Sequence, residues 1–323
     1  MPDARPSMLR DPVSGPLDWT PVAAPCSLRR TLAKFRHGPL DPTTRLGERS
    51  FLRATHTPEG PGTLLLTWSH DPADPGADGR VAAAWGPGAD WLLAGVDRLT
   101  GTDDRAGRFA DAHPVVERAL RATRTRRVGA SSNAYHELLP TIIAQRITGR
   151  EAARQWQQLC RALGEPAPGP VEVVDGLVVP PSPAALHRRP AWWFHPLGIE
   201  TSRARTLVEV ARHADRLWEW TAAGPGQLAS QLVLLAGVGP WTAGSVVGPT
   251  CGDPDAVPVG DYHFPNTVAW ALAGEPRADD ERMLALLAPY RGQRGRVLAA
   301  LTSAAGKAPS FGPRRRVLPM STW

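Results

Sequence analysis

Residues 226–274 read GQLASQLVLLAGVGPWTAGSVVGPTCGDPDAVPVGDYHFPNTVAWALAG, and the fold is decided here. Leu228, Leu232 and Leu235 recur at i, i+4 and i+7, the apolar stripe of a short helix. The stripe stops at Ala236-Gly237-Val238-Gly239. Gly237 suits a backbone conformation closed to other residues. Val238 plugs the space between two helices, and Gly239-Pro240 opens the second with proline at its first helical position. The product is a helix, a tight hairpin and a helix over 227–248. Backbone N–H groups at such a turn converge on one point, where a phosphate oxygen fits. The same turn can also be a plain helical corner.

Downstream, Asp253-Pro254-Asp255 turns the chain and Val257-Pro258-Val259-Gly260 runs extended. Asp261 then precedes a helical pattern at Thr267, Val268, Trp270, Ala271 and Leu272. A carboxylate at a helix start stays ionised at neutral pH, either as a cap or as a charge aimed at a ligand. It stands twenty residues after Trp241.

LLAGVGPWTA followed at this distance by VPVGD resembles the helix-hairpin-helix DNA glycosylases. It is most similar to the 3-methyladenine DNA glycosylase II branch, whose hairpin also carries Trp-Thr-Ala. The resemblance extends over about 115–305 through Leu197-Gly198-Ile199 and Arg203-Ala204, and through Ala144-Gln145-Arg146-Ile147. It implies a mainly α fold with an α+β N-terminal domain, a helical core and a small antiparallel sheet. The implied activity is excision of alkylated, cationic purines from double-stranded DNA. Asp261 would be catalytic, and Trp241 and Tyr290 would be base-binding. DNA would meet Gly237, Gly239, Thr242 and Ala243 at the hairpin, and Gln145 and Arg146 at the gap left by an extruded nucleotide. No cofactor is required. A structural Na or K ion on the backbone carbonyls of Val233, Leu235 and Val238 is consistent with the resemblance.

The sequence departs from the family at three points. Arg146 stands where the branch has an apolar wedge; it either stacks by its guanidinium plane or is a plain exposed arginine. Gly260 replaces a second acid that commonly precedes the catalytic aspartate. Two extra residues follow Tyr290 relative to the family's Pro-Trp-Arg turn. His263 and Asn266 are also unusual and leave the substrate range open.

Composition agrees with an anionic partner. The 323 residues carry a net charge of +6, with only two lysines, Lys34 and Lys307. Cys26, Cys160 and Cys251 are too few for a four-thiolate cluster, so no iron-sulfur group is expected. No run of 18 apolar residues and no charged-then-apolar leader occurs, which predicts a protein without a membrane span, cytoplasmic and nucleoid-associated if bacterial; a monomer is expected.

Along the chain, 1–16 reads as a flexible tail, 17–112 as an α+β domain, 113–305 as the helical core and 306–323 as a basic tail. Residues 28–35 form a short helix, and 50–57 with 63–69 form a hairpin across a five-residue loop. Residues 80–85 add a strand, and the stripe from Trp91 to Leu99 ends at Gly101. Pro114 starts a helix, after which Arg121, Arg124, Arg126 and Arg127 are either a solvated linker or phosphate contacts. Thr148-Gly149-Arg150-Glu151 is a capping box. Residues 165–190 read as extended, with a short arm at 177–179. Trp192, Trp193, Trp218 and Trp220 read as packing residues.

Cleaving a base from deoxyribose builds positive charge on the sugar, which a fixed carboxylate stabilises while orienting water. Relatives that also nick the strand use a hairpin lysine as an imine-forming nucleophile. Trp241 occupies that position, so a monofunctional enzyme is expected, with Lys34 and Lys307 remote from Asp261. Two other readings stay open: a glycosylase for other damaged or mismatched bases, and a non-catalytic DNA-structure binder.

Overall fold

The computed structural model describes residues 17–22, 26–69 and 79–304. The tails expected over 1–16 and 306–323, and Lys307, lie outside the described residues. In chain order the elements are β1 (Trp19–Pro21), α1 (Leu28–Leu32), β2 (Thr44–Leu46), β3 (Ser50–Thr57), β4 (Gly60–Thr67), β5 (Val81–Trp85), α2 (Ala89–Ala94), α3 (Val96–Thr100) and β6 (Gly107–Phe109). There follow α4 (Pro114–Thr123), α5 (Ala134–Ile143), α6 (Gly149–Leu163), β7 (Glu165–Pro166), α7 (Val171–Val174), β8 (Val178–Val179) and α8 (Pro183–His187). The rest is helical: α9 (Thr201–Arg212), α10 (Ala214–Ala222), α11 (Pro225–Leu232), α12 (Pro240–Cys251), α13 (Phe264–Ala273), α14 (Asp280–Leu287) and α15 (Arg294–Ala304).

The antiparallel sheet has the order β2-β3-β4-β5. Its central hairpin closes through Pro58 and Glu59 alone, with Thr57 paired to Gly60, so the five-residue loop is corrected to two. The Thr57 hydroxyl explains the tightness: it accepts the Glu59 N–H at 3.1 Å and donates to the Gly60 carbonyl at 2.8 Å. The stripe from Trp91 to Leu99 divides at Gly95 into α2 and α3. The sheet and these helices bury Phe35, Phe51, Leu64 and Leu66 between them.

The helices enclose two further cores. Residues of α5, α6 and α8 to α12 pack one around Trp156, Leu138, Leu207 and Leu232. The other joins α4 to α13, α14 and α15 around Val116, Val268, Leu287 and Leu301, and takes in Phe109 with Trp19 against it. Phe109 and Trp19 face each other across the β1–β6 pair, which the sequence did not reveal. Residues 252–263 link α12 in the first core to α13 in the second, so Asp261 lies at their junction.

The sheet is fastened to the first core by polar groups removed from water. Arg53 of β3 donates to the Glu137 carboxylate of α5 at 2.7 Å, with both side chains buried. Burial alone would raise the Glu137 carboxyl, but Arg53, helped by His37, outweighs it and holds the group below the usual carboxylate range. Asn133 caps α5 and donates to Thr55, and the Trp156 indole donates to Asp41 at 3.0 Å.

Candidate active site and nucleic-acid interface

The glycine turn and the start of the second helix are where the sequence predicts, but the first helix ends at Leu232 instead of Ala236, so the turn spans 233–239. Leu228, Leu232, Leu235 and Val238 are buried, Gly237 has φ +85°, and Pro240 is the first residue of α12. A Cβ on Gly237 would stand 1.9 Å from the Thr206 hydroxyl, so α9 presses against the turn at this point. Gly239 has extended backbone, and a Cβ there meets nothing within 4 Å. This side of the turn is open to a ligand. The first N–H of α12 with an intrahelical acceptor is that of Ala243, bonded to the Gly239 carbonyl at 3.0 Å. The Trp241 and Thr242 N–H groups precede it and point out of the helix start.

This geometry corrects two expected contacts. Ala243 has a buried side chain and spends its N–H within the helix. The Thr242 side chain is buried too, and its hydroxyl accepts from Gln145 Nε2 at 2.9 Å, so its backbone alone faces outward. Gln145 also donates to the Gly237 carbonyl at 3.0 Å. Instead of facing a gap, the Gln145 side chain ties its loop to the hairpin. Arg146, at the tip, is exposed with φ +62°, a left-handed conformation that costs a non-glycine residue on the order of 1–3 kcal/mol. Arg203 braces the same loop from behind by donating to the Ile143 carbonyl at 2.7 Å and to Gln155 at 2.8 Å. Val233 is exposed, and the Leu235 carbonyl of the expected cation set accepts the Val238 N–H at 3.0 Å.

Asp261 is held from three directions. Its Oδ1 accepts the N–H groups of His263 at 2.7 Å and Phe264 at 3.0 Å, at the start of α13. Its Oδ2 accepts the Trp241 indole N–H at 3.0 Å. The carboxylate therefore caps the helix and remains half-exposed. Gly260 has φ +95°, which any other residue would adopt under strain, so backbone conformation and not lack of room disfavours a second acid here; a Cβ would meet only Trp241 at 3.6 Å. Upstream, Asp255 accepts from the Arg294 backbone and guanidinium at 2.9 Å, which pins the loop to the start of α15. Asn266 accepts the Ala278 N–H at 2.9 Å and donates to the Tyr262 carbonyl at 3.3 Å, a structural role.

Tyr290 is not part of this surface. Its ring is 4% exposed and packs edge-on against Phe109 at 5.1 Å, and its hydroxyl accepts the His113 N–H at 3.3 Å. The aromatic belongs to the second core. Trp192 departs from expectation in the other direction: it is 73% exposed, whereas Trp193, Trp218 and Trp220 pack against Phe194, Trp91 and His213.

Two concave features flank the hairpin and loop. A cavity of about 550 Å³ is walled by Gly244, Ser245 and Pro249 of α12, Pro258 and Phe264 beside Asp261, Leu298 of α15, and Trp19. Lys34, Arg124, Arg126 and Arg127 reach it too, so residues of the basic run after α4 line a cavity that Pro258 and Phe264, on either side of Asp261, also line. A second groove runs from Arg188 and Arg189 past Arg205 and Arg212 to Ala236 and Gly237.

No family description matches the sequence, and no curated protein sequence does so either. Solved structures do match. A 3-methyladenine DNA-glycosylase from Archaeoglobus fulgidus superposes with a TM-score of 0.65 over 88% of this chain and 97% of that one, at 16% identity. MBOgg1 in complex with a low affinity DNA ligand gives 0.63 over 89% and 94%, at 13% identity. The apo-form of Clostridium acetobutylicum 8-oxoguanine glycosylase/lyase gives 0.56 over 81% and 99%, at 12% identity. The chain has the helix-hairpin-helix DNA glycosylase fold. At such identities the likeness is one of fold, mainly α with a small antiparallel sheet.

Within this glycosylase fold, several site features had no signature in the sequence. Tyr262, 79% exposed beside Asp261, and Leu234, 74% exposed on the hairpin, are single residues in no periodic pattern. Lys34 and Ser245 meet at one cavity from positions 211 residues apart, which no spacing rule anticipates. No helix among the described residues is long and apolar enough to cross a membrane, and none of their acidic, histidine and cysteine side chains form a metal cluster.

Proposed function

We propose that this protein is a DNA glycosylase that releases a damaged base by water attack and leaves an intact abasic strand. The observation that carries the reading is the Asp261 carboxylate, half-exposed at the junction of two cores and oriented by Trp241, His263 and Phe264. Charge fixed beside the deoxyribose stabilises the oxocarbenium-like transition state, and one such oriented group is worth about 10²–10³ in rate. Trp241 acts here through its N–H: it sits where lyase-competent relatives carry an amine, and indole cannot form an imine. The hairpin amides of Trp241 and Thr242 and the open face of Gly239 take a phosphate without reading sequence. The arginine groove ending at Gly237 continues that path along the backbone. Arg146 projects where an extruded nucleotide leaves a gap, and its strained backbone fits a residue held for function.

Two substrate classes fit this reaction. A cationic alkylated purine is a good leaving group that stacks on an electron-rich ring; with Tyr290 buried, Trp241 alone supports it. A neutral damaged base is favoured by the basic lining of the cavity beside Asp261. The Na or K ion at Val233, Leu235 and Val238 belongs to the same proposal as a prop for the hairpin. Incubation with duplexes carrying one lesion each, scored for free base before and after alkali, tests the reading. Strand cleavage only after alkali is the expected outcome; tight binding with no base released from any duplex would leave a DNA-structure binder.

A further inference from the structure

The cavity beside the Asp261 loop is polarised. Trp19, Leu120, Phe264 and Leu298 give it apolar walls that suit a flat heterocycle, and its size is typical of a small-molecule site. Lys34, Arg126, Arg296, Arg30 and Arg124 bring positive charge to it, against Asp253 as the carboxylate among its lining residues. Arg296 is paired with Asp104 behind the wall, and Arg126 donates to Ser303 at 3.3 Å. Lys34 lies over the Phe35 ring and donates to the Gly129 carbonyl at 2.5 Å. An ammonium has three donors, so donors remain for a ligand.

Such a concentration of cations around one cavity is unfavourable by itself, although Arg30, Lys34 and Arg124 keep exposed surface. Crowding by protein atoms brings the Lys34 ammonium down to about 8, although the residue keeps exposed surface in the open cavity; Glu137 and Asp104 oppose the shift, while Arg126 and Arg296 add to it. Burial likewise lowers Arg126, with Arg296 and Arg30 adding to the effect. A ligand that brings negative charge or carbonyl oxygens relieves the repulsion, and a cationic one aggravates it.

We propose that this cavity receives a flat heterocycle with a carbonyl-rich or anionic edge, and that Lys34 and Arg126 donate to that edge and so select the base. The inference rests on the glycosylase reading for the route by which the base arrives. A free anionic heterocycle has the same chemistry, and the two sources are separable.

The test compares wild type, Lys34→Met and Lys34→Arg on duplexes containing 8-oxoguanine, uracil or the cationic 7-methylguanine. Wild type is expected to release a carbonyl-rich base in preference to 7-methylguanine. Lys34→Met should lose about 10- to 100-fold in kcat/KM on the preferred base, the range for a hydrogen bond from a charged donor, with little change on 7-methylguanine. Lys34 must be protonated to donate its charge, so wild-type activity should fall as pH rises through about 8. Lys34→Arg should keep activity and lose that alkaline limb, a result no merely structural role for Lys34 would give. A wild-type preference for 7-methylguanine, or equal losses on all bases with an unchanged melting temperature, would overturn the proposal. If no duplex releases base, the glycosylase reading fails separately and the cavity is judged by calorimetric titration with urate. Urate binding to wild type that is lost in Lys34→Met supports the cavity's chemistry. No urate binding, or inorganic phosphate binding equally well, overturns it.

Discussion

Gly237 and Gly239 stand two residues apart in one turn, yet they serve different ends. At Gly237 both the positive φ and the 1.9 Å approach to Thr206 forbid a side chain. Gly237→Ala should therefore lower stability by about 1–3 kcal/mol, read from urea midpoints. Gly239 has ordinary extended backbone and open space beside it, so Gly239→Val should fold with an unchanged midpoint. Its cost should appear in binding, as weaker affinity for damaged and undamaged duplexes alike, because phosphate contacts carry no sequence information. Unchanged affinity for undamaged DNA would reduce the hairpin to a corner. The sequence made the glycine turn and Pro240 legible, because both follow from local backbone rules, but it ran the first helix past its end at Leu232, since the buried Leu235 continues the apolar spacing from within the turn. It misplaced Tyr290 and Ala243 as contacts, since orientation depends on which core a side chain meets. Trp241 illustrates the limit: its position was readable, but the bond from its indole N–H to Asp261 was not.

At the scale of elements, β3 and α5 are joined by a charge pair that neither segment reveals alone. Arg53 and Glu137 are 84 residues apart and both lie out of water. Removing one partner leaves the other charged and desolvated, which costs about 3–5 kcal/mol. Arg53→Met should show that loss in urea unfolding, and the paired variant Arg53→Met with Glu137→Leu should recover part of it. Because Glu137 is held below its usual range when folded, its contribution is present above the ordinary carboxylate value and is lost as pH falls through the folded one. Arg53→Met should flatten the decline of stability with acid. The Thr148 cap of α6 and the stop at Gly101 were legible for the opposite reason, since each needs only a few neighbouring residues, although the Glu151 carboxylate accepts from Arg154 and Gln155 instead of completing a capping box.

At the scale of the whole molecule, the Asp261 loop crosses from one helical core to another, and a cavity opens beside it. The sequence pointed to the helical core through recurring apolar stripes. It was silent on the cavity, whose walls come from β1, α1, α4, α12 and α15. Lys34 illustrates the consequence, since it lines the cavity together with Ser245 of α12, 211 residues away in the chain. A pKa lowered to about 8 makes an amine more nucleophilic, but Lys34 is bonded to the Gly129 carbonyl and Asp261 does not line its cavity. Borohydride should therefore trap no covalent adduct with DNA; an adduct in stoichiometric yield that disappears in Lys34→Met would assign the enzyme a strand-nicking step. The central claim, however, is that Asp261 supplies charge to the reaction and not merely a cap to α13. Single-turnover base release by Asp261→Asn measures this directly, because asparagine can still accept the His263 and Phe264 N–H groups while carrying no charge. The expected result is a fall of about 10²–10³ in rate, with affinity for abasic-site DNA within a few fold of wild type. Base release by Asp261→Asn at the wild-type rate would contradict the mechanism.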